Sequence, residues 1–158
     1  MANLLIDIGN TALKAAWADG MTLGKTFRYQ GERMLDFILS LTSRTRPDMI
    51  VLSSVRNFSE QNVKRLTKEC DRMFILDNMF LKEKYDIPEY LTPDRAASVV
   101  AAGYLFKGRP CTIFDFGTTF TVDFIDEEGN FEGGCISPGC HTRFRSIYRY
   151  SKSLPLLD

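Results

Sequence analysis

The chain has 158 residues, 44% of them hydrophobic and 25% charged, and its 20 Lys+Arg balance its 20 Asp+Glu. This is the size of one domain or two small lobes, with ordinary globular composition. The charge balance leaves no basic field for nucleic acid, and no apolar run approaches the ~20 residues of a membrane helix, so neither is an expected partner.

In chain order, residues 3–8 read as a buried strand, not a signal peptide, because no basic leader precedes it and Asp7 interrupts it. Residues 12–18 and 22–29 complete a meander around the Asp19-Gly20 turn. Helical spacing of Met34, Leu35, Ile38, Leu39 and Leu41 predicts a helix over 32–44. Met49 to Leu52 is a short strand ending at Ser53-Ser54, and Ser59 is a candidate N-cap for a helix over 59–69. Met73 to Leu76 reads as another strand, and 77–92 as irregular. Thr92 and Pro93 mark the start of a helix that runs to about Phe106 and ends at Gly108-Arg109-Pro110. A second meander follows over 111–116, 119–126 and 130–136, and Cys140 to Tyr150 reads as a helix with Phe144, Ile147 and Tyr148 packed inward. Cys70, Cys111, Cys135 and Cys140 show no Cys-x-x-Cys spacing. Packed, reduced thiols of a cytoplasmic protein are expected. His141 is the sole histidine and has no clustered partners for a metal.

The most informative pattern is written twice: Asp7-Ile8-Gly9-Asn10-Thr11 and Asp115-Phe116-Gly117-Thr118-Thr119. Each copy joins two strand-like runs. The glycines permit a tight bend and close ligand approach. Thr11, Thr118 and Thr119 offer hydroxyl and N–H donors to phosphate oxygens. A carboxylate beside phosphates implies a cation between them, which assigns cations to Asp7 and Asp115. Two matched turns predict one ligand gripped from two sides. The fold expectation is α/β, a duplicated lobe whose second copy has its meander but not the closing strands of the first. The expected lobes are 1–110, containing an acceptor segment at 85–106, and 111–158.

These turns, followed by Thr121, Asp123 and Gly133-Gly134 through Gly139, resemble the actin, Hsp70 and sugar-kinase ATPases with ribonuclease-H-like lobes. The nearest resemblance is to type III pantothenate kinase, also called the Bvg accessory factor family. It implies an ATP-binding stretch of Asp7, Ile8, Gly9, Asn10, Thr11, Ala12, Leu13 and Lys14, with Thr118 as a further nucleotide contact. It also implies ATP with Mg²⁺ near Asp7, directly or through water, and K⁺ or NH₄⁺ near Asp115. The acceptor would be pantothenate, and the active form a homodimer with the acceptor site at its interface.

The family's acceptor motif is Gly-x-Asp-Arg, with a Tyr nine residues before the Asp. Thr92, Pro93, Asp94, Arg95 and Tyr85 occupy those positions. A carboxylate is a suitable base for an attacking hydroxyl, and an adjacent Arg can hold a carboxylate through two hydrogen bonds. By the resemblance Asp94 is the catalytic residue, and Tyr85, Thr92, Pro93, Asp94, Arg95 and Ser151 contact pantothenate. Thr92 stands where the family has Gly, which either reshapes the loop or narrows the pocket. Two other readings compete. One is a non-catalytic accessory protein or inactive paralogue of the same fold. The other is a sugar or acetate-type kinase, which explains the turns but not the Tyr85–Arg95 spacing.

Overall fold

The computed structural model describes residues 2–151 and 153–157. They group into two compact units, Met1–Lys82 with Pro88–Asp94, and Glu83–Ile87 with Arg95–Asp158. This grouping and a boundary at 110 differ over 83–87 and 95–110.

The first unit is built on β1 (Asn3–Ile8), β2 (Leu13–Asp19), β3 (Thr22–Tyr29), β4 (Met49–Ser54) and β5 (Arg72–Leu76). Their order in the sheet is β3-β2-β1-β4-β5. β1 pairs antiparallel with β2 and parallel with β4, and β4 is parallel to β5. Period-2 alternation turns Leu4, Ile6 and Ile8 to one face, level with Ile50 and Leu52 of β4. Ile38 of α1 (Met34–Thr42) and Leu66 of α2 (Glu60–Thr67) cover that face and complete the core. Each such aliphatic side chain contributes roughly 1.5–3 kcal/mol of burial free energy. Ser59 does cap α2, its Oγ accepting from Asn62 N–H at 3.3 Å.

One element departs from expectation. Residues 78–85, read as irregular, form α3 (Asn78–Tyr85). Asp77 Oδ1 accepts the Phe80 N–H at 2.8 Å, capping the first turn. Leu81 is buried, and Phe80 meets Phe74 edge-on at 4.9 Å. The apolar residues 79–81 are consecutive, so helical periodicity is absent. The cap and the aromatic contact supply the stability instead.

The second unit carries β6 (Cys111–Phe116), β7 (Thr119–Ile125) and β8 (Phe131–Pro138), an antiparallel meander in the order β6-β7-β8. α4 (Pro93–Leu105) starts at the boundary and buries Ala96, Val99 and Ala102. Gly129, at φ +89°, comes close enough to Gly103 that a Cβ on either would touch the other's backbone. α5 (Cys140–Tyr150) closes the unit.

Two expectations fail here. Ile147 and Tyr148 are exposed. α5 is instead held through its N-terminal turn, where Thr142 Oγ1 and Gly139 N–H both donate to the Thr118 carbonyl. The thiols also divide: Cys70 is buried and Cys111 half-buried, but Cys135 and Cys140 are exposed, and all four are free. Cys135 lies on the last strand of the meander and Cys140 opens α5, each directly after a glycine and with little covering it.

Candidate active site

The alternation that buries Leu4, Ile6 and Ile8 sends Asp7 to the opposite face of the sheet. Asp7 is register-paired with Lys14 on β2 and Ser53 on β4. Register partners share a face. Carboxylate, ammonium and hydroxyl therefore sit side by side across three strands. Lys14 Nζ lies 3.9 Å from Asp7 Oδ2, a long and half-exposed ion pair. Ser53 Oγ is buried with no hydrogen-bond partner from the protein. An orphaned buried hydroxyl costs about 1–3 kcal/mol, which a ligand oxygen or a hydrated cation would offset. Hard oxygen donors suit Mg²⁺, which keeps several waters and takes few protein ligands. The donor set at Asp7 and Ser53 fits such an ion. Among the described residues no group of three or more His, Cys, Asp or Glu converges on a metal position.

The turn after β1 is closed by Gly9 N–H donating to Ala12 O at 3.0 Å. It is tied to the end of β4, where Val55 N–H donates to Ile8 O at 3.1 Å and the Arg56 guanidinium donates to Asn10 O. The turn after β6 is closed by Gly117 N–H donating to Thr119 O at 2.9 Å. It is braced by α5 through the Thr118 carbonyl, and a Cβ on Gly139 would collide with Gly117 O. Space, not conformational freedom, demands that glycine. Asp115 is register-paired with the buried Thr121. A carboxylate and a hydroxyl again share a face there, a small oxygen-donor set suited to a hard cation.

The acceptor-side residues divide between the units. Thr92 and Pro93 line a cleft of about 450 Å³ in the first unit, together with Arg56, Asp77, Asn78 and Tyr90. Asn78 Oδ1 is buried without a hydrogen-bond partner, while its Nδ2 donates to Glu89 O at 2.9 Å. Lys82 bridges to Glu89 at 2.5 Å and holds that exposed carboxyl below the usual range, first by the hydrogen bond and then by its charge. Among described non-glycine residues only Asp86 has positive φ, at 54°. Thr92 therefore sits in ordinary backbone, and its substitution for Gly acts through bulk at the cleft wall. Asp94 lies in the first turn of α4.

Tyr85 ends α3 and is partly exposed, with Lys84 Nζ 5.5 Å from its ring centre. Ser151 is the C-cap of α5, its N–H donating to Ile147 O at 2.8 Å. Arg95 donates to Asp123 of β7 through Nε at 3.1 Å and Nη2 at 2.5 Å. Sequence reasoning assigned no role to Ser53, Arg56, Asn78 or Asp123. Asp123 stood in the second motif, and its signal was an acidic residue at an inward strand position.

The sheet order, with an Asp-x-Gly-x-Thr turn leaving the central strand, defines an α/β protein of the actin-like ATPase and sugar-kinase fold class. A solved structure similar to the chain bears this out. It is a putative 2-dehydro-3-deoxygalactonokinase from Sinorhizobium meliloti, with a TM-score of 0.56 at 12% identity, covering 94% of this chain and 57% of that one. The model of the type III pantothenate kinase family matches residues 3–158, and the chain belongs to that family. A type III pantothenate kinase from Bacteroides fragilis is 32% identical over 158 residues, 98% of this chain and 65% of that protein. The structure of a conserved putative Baf family transcriptional activator from Campylobacter jejuni aligns with a TM-score of 0.55 at 25% identity, over 93% of this chain and 59% of that one. The chain thus spans about two thirds of the length of the curated relatives it matches. Among the described residues no helix is long and apolar enough to cross a membrane.

Proposed function

We propose that the chain carries the phosphate-binding and proton-accepting residues of an ATP:pantothenate phosphotransferase, which forms 4'-phosphopantothenate at the start of coenzyme A synthesis. The observation that carries this reading is the donor set at the first turn. Asp7, Lys14 and the unpartnered Ser53 hydroxyl share one face, beside a turn of backbone amides. That arrangement suits a phosphate–cation ligand and has no purpose in packing.

In this mechanism the stretch from Asp7 to Lys14 binds the ATP phosphates through the Lys14 ammonium and those turn amides not already bonded within the hairpin, and Thr118 adds a contact from the second turn. Asp7 and Ser53 would hold a divalent ion through water, which supplies charge neutralisation of the transferring phosphoryl group. Asp94 accepts the proton of the pantothenate hydroxyl as that oxygen attacks. Arg95 meets the acceptor carboxylate, with Tyr85, Thr92, Pro93 and Ser151 shaping its site. Asp115 takes a monovalent cation, K⁺ or NH₄⁺. Two copies of the chain form the working unit in the cytoplasm. Most of the rate enhancement then comes from positioning and charge neutralisation.

The test is ATP-dependent phosphorylation of pantothenate with Mg²⁺, with and without K⁺. Asp94→Asn should lower kcat about 100-fold or more. No turnover by the folded wild-type chain overturns the kinase reading. Turnover indifferent to Asp94→Asn removes the role given to Asp94.

A second reading is a nucleotide-binding accessory protein without transfer activity. Thr92 at the cleft wall in place of the family Gly favours it, and so does the likeness to the putative Baf family transcriptional activator. ATP binding without turnover would support it.

A further inference from the structure

We propose that Asp123 is a positioning residue for Arg95, and that Gly134 is glycine to leave room for this pair; the inference deepens the kinase reading and rests on it. Asp123 is 1% exposed, at an inward position of β7. Both its carboxylate oxygens accept from Arg95, Oδ2 from Nε at 3.1 Å and Oδ1 from Nη2 at 2.5 Å. The two side chains are 11% and 2% exposed for Arg95 and Asp123, so solvent screens the pair little. This two-point geometry fixes the plane of the guanidinium as well as its location.

Gly134 is the register partner of Asp123 on β8. A Cβ there would collide with Asp123 Oδ1 and equally with the Val122 backbone carbonyl, and would stand 3.0 Å from Arg95 Nη2. Gly134 does not take a positive φ, unlike its neighbour Gly133. Its backbone suits any residue, so space explains it, and the Arg95–Asp123 pair fills that space together with the Val122 carbonyl. Thus one residue of β7 supplies the charge, one of β8 the room, and one of α4 the guanidinium.

Stability alone gives this arrangement little reason. Burying an ion pair is often neutral or costly compared with packed apolar residues of similar volume. Glycine in a strand further weakens the sheet. Both make sense if the pair sets the direction of a functional group. Arg95 directly follows Asp94 in the first turn of α4. Fixing its guanidinium orients the cation that meets the carboxylate end of the acceptor, while the adjacent Asp94 serves its hydroxyl.

The experiment compares Asp123→Asn, Gly134→Ala and Arg95→Lys with wild type in the full chain, using pantothenate and ATP as varied substrates. A misdirected guanidinium should raise KM for pantothenate about tenfold or more while KM for ATP stays within about twofold. Combining Asp123→Asn with Arg95→Lys should add nothing to the larger single effect. Equal changes in both KM values, additive losses, or no change in folded variants would overturn the proposal. The Arg95 Nε–H proton, followed by NMR, provides a readout without turnover. It should exchange slowly in wild type and rapidly in Asp123→Asn and Gly134→Ala. Slow exchange in all three overturns the pairing, even if Asp123→Asn loses activity. Absence of turnover in wild type overturns the kinase reading alone and leaves the proton to decide the pairing. If Asp123→Asn does not fold, Asp123→Glu, which keeps the charge and moves the carboxylate, carries both tests.

Discussion

The two Asp-x-Gly-x-Thr turns share a sequence pattern but differ in what supports them. The first leaves a strand paired on both sides, with Leu4, Ile6 and Ile8 fully buried beneath it. The second leaves β6, which in the described residues pairs only with β7. The outer face of that sheet shows Phe114 and Phe116, 56% and 73% exposed, with Phe116 4.7 Å from the Phe120 ring. The first turn is held by backbone and by the end of a parallel strand; the second by a helix N-terminus resting on its carbonyl. A local motif therefore sets which polar groups a turn presents. What braces those groups comes from the turn's neighbours.

Removing each turn's carboxylate tests this contrast most strongly. Asp7→Asn should lower kcat about 100-fold or more at every K⁺ concentration. Asp115→Asn should instead raise the K⁺ needed for half-maximal rate, about tenfold, and leave the rate at saturating K⁺ closer to wild type. Equal losses that K⁺ does not rescue would break the division of labour.

Packing comes next. Ile8→Ala removes a fully buried side chain and should cost about 2–5 kcal/mol in a urea titration. Phe116→Ala, on the exposed face, should change stability by no more than about 0.5 kcal/mol. A large loss from Phe116→Ala would mean that this face is covered in solution.

A smaller effect is expected from the helix caps. Ser59→Ala removes the acceptor for the Asn62 N–H and should cost about 1 kcal/mol, read as a lower Tm. Arg33, at the N-cap of α1, makes no side-chain cap bond, so Arg33→Ala should leave Tm nearly unchanged.

Thiol labelling gives the finest comparison. Burial raises the Cys70 thiol pKa above its ordinary value, outweighing the hydrogen bond from the Ile50 backbone and the charge of Arg46, which lower it. Less of Cys70 is thiolate at a given pH, and access to it is blocked. Iodoacetamide at pH 8 should modify Cys135 and Cys140 of the second unit and spare Cys70 of the first, as peptide mass mapping would read. Equal labelling of all three would mean that the first unit opens as readily as the second.

Strands β1 to β8 were legible because alternation and turn residues act over a few positions, and the Ser59 cap was legible for the same reason. The two turns were legible because a glycine among short polar residues interrupts apolar strand runs, whereas Asp94 and Tyr85 were singled out by the resemblance to the family motif. α3 was not legible, since its stability comes from Asp77 and Phe74 and not from periodicity. Nor was the exposure of Ile147 and Tyr148, because whether a helix face is covered depends on what the rest of the chain brings to it.

By itself the sequence determined an α/β protein with two Asp-x-Gly-x-Thr turns between strands and an Asp-Arg pair opening a helix, since local spacing and side-chain chemistry specify these. Only the tertiary structure decided that Ser53 joins Asp7 and Lys14 across three strands, and that Arg95 turns its fork to Asp123 over the gap left by Gly134. Those neighbours are set by strand register and helix placement, which bring together residues far apart in the chain and which no short window of sequence encodes.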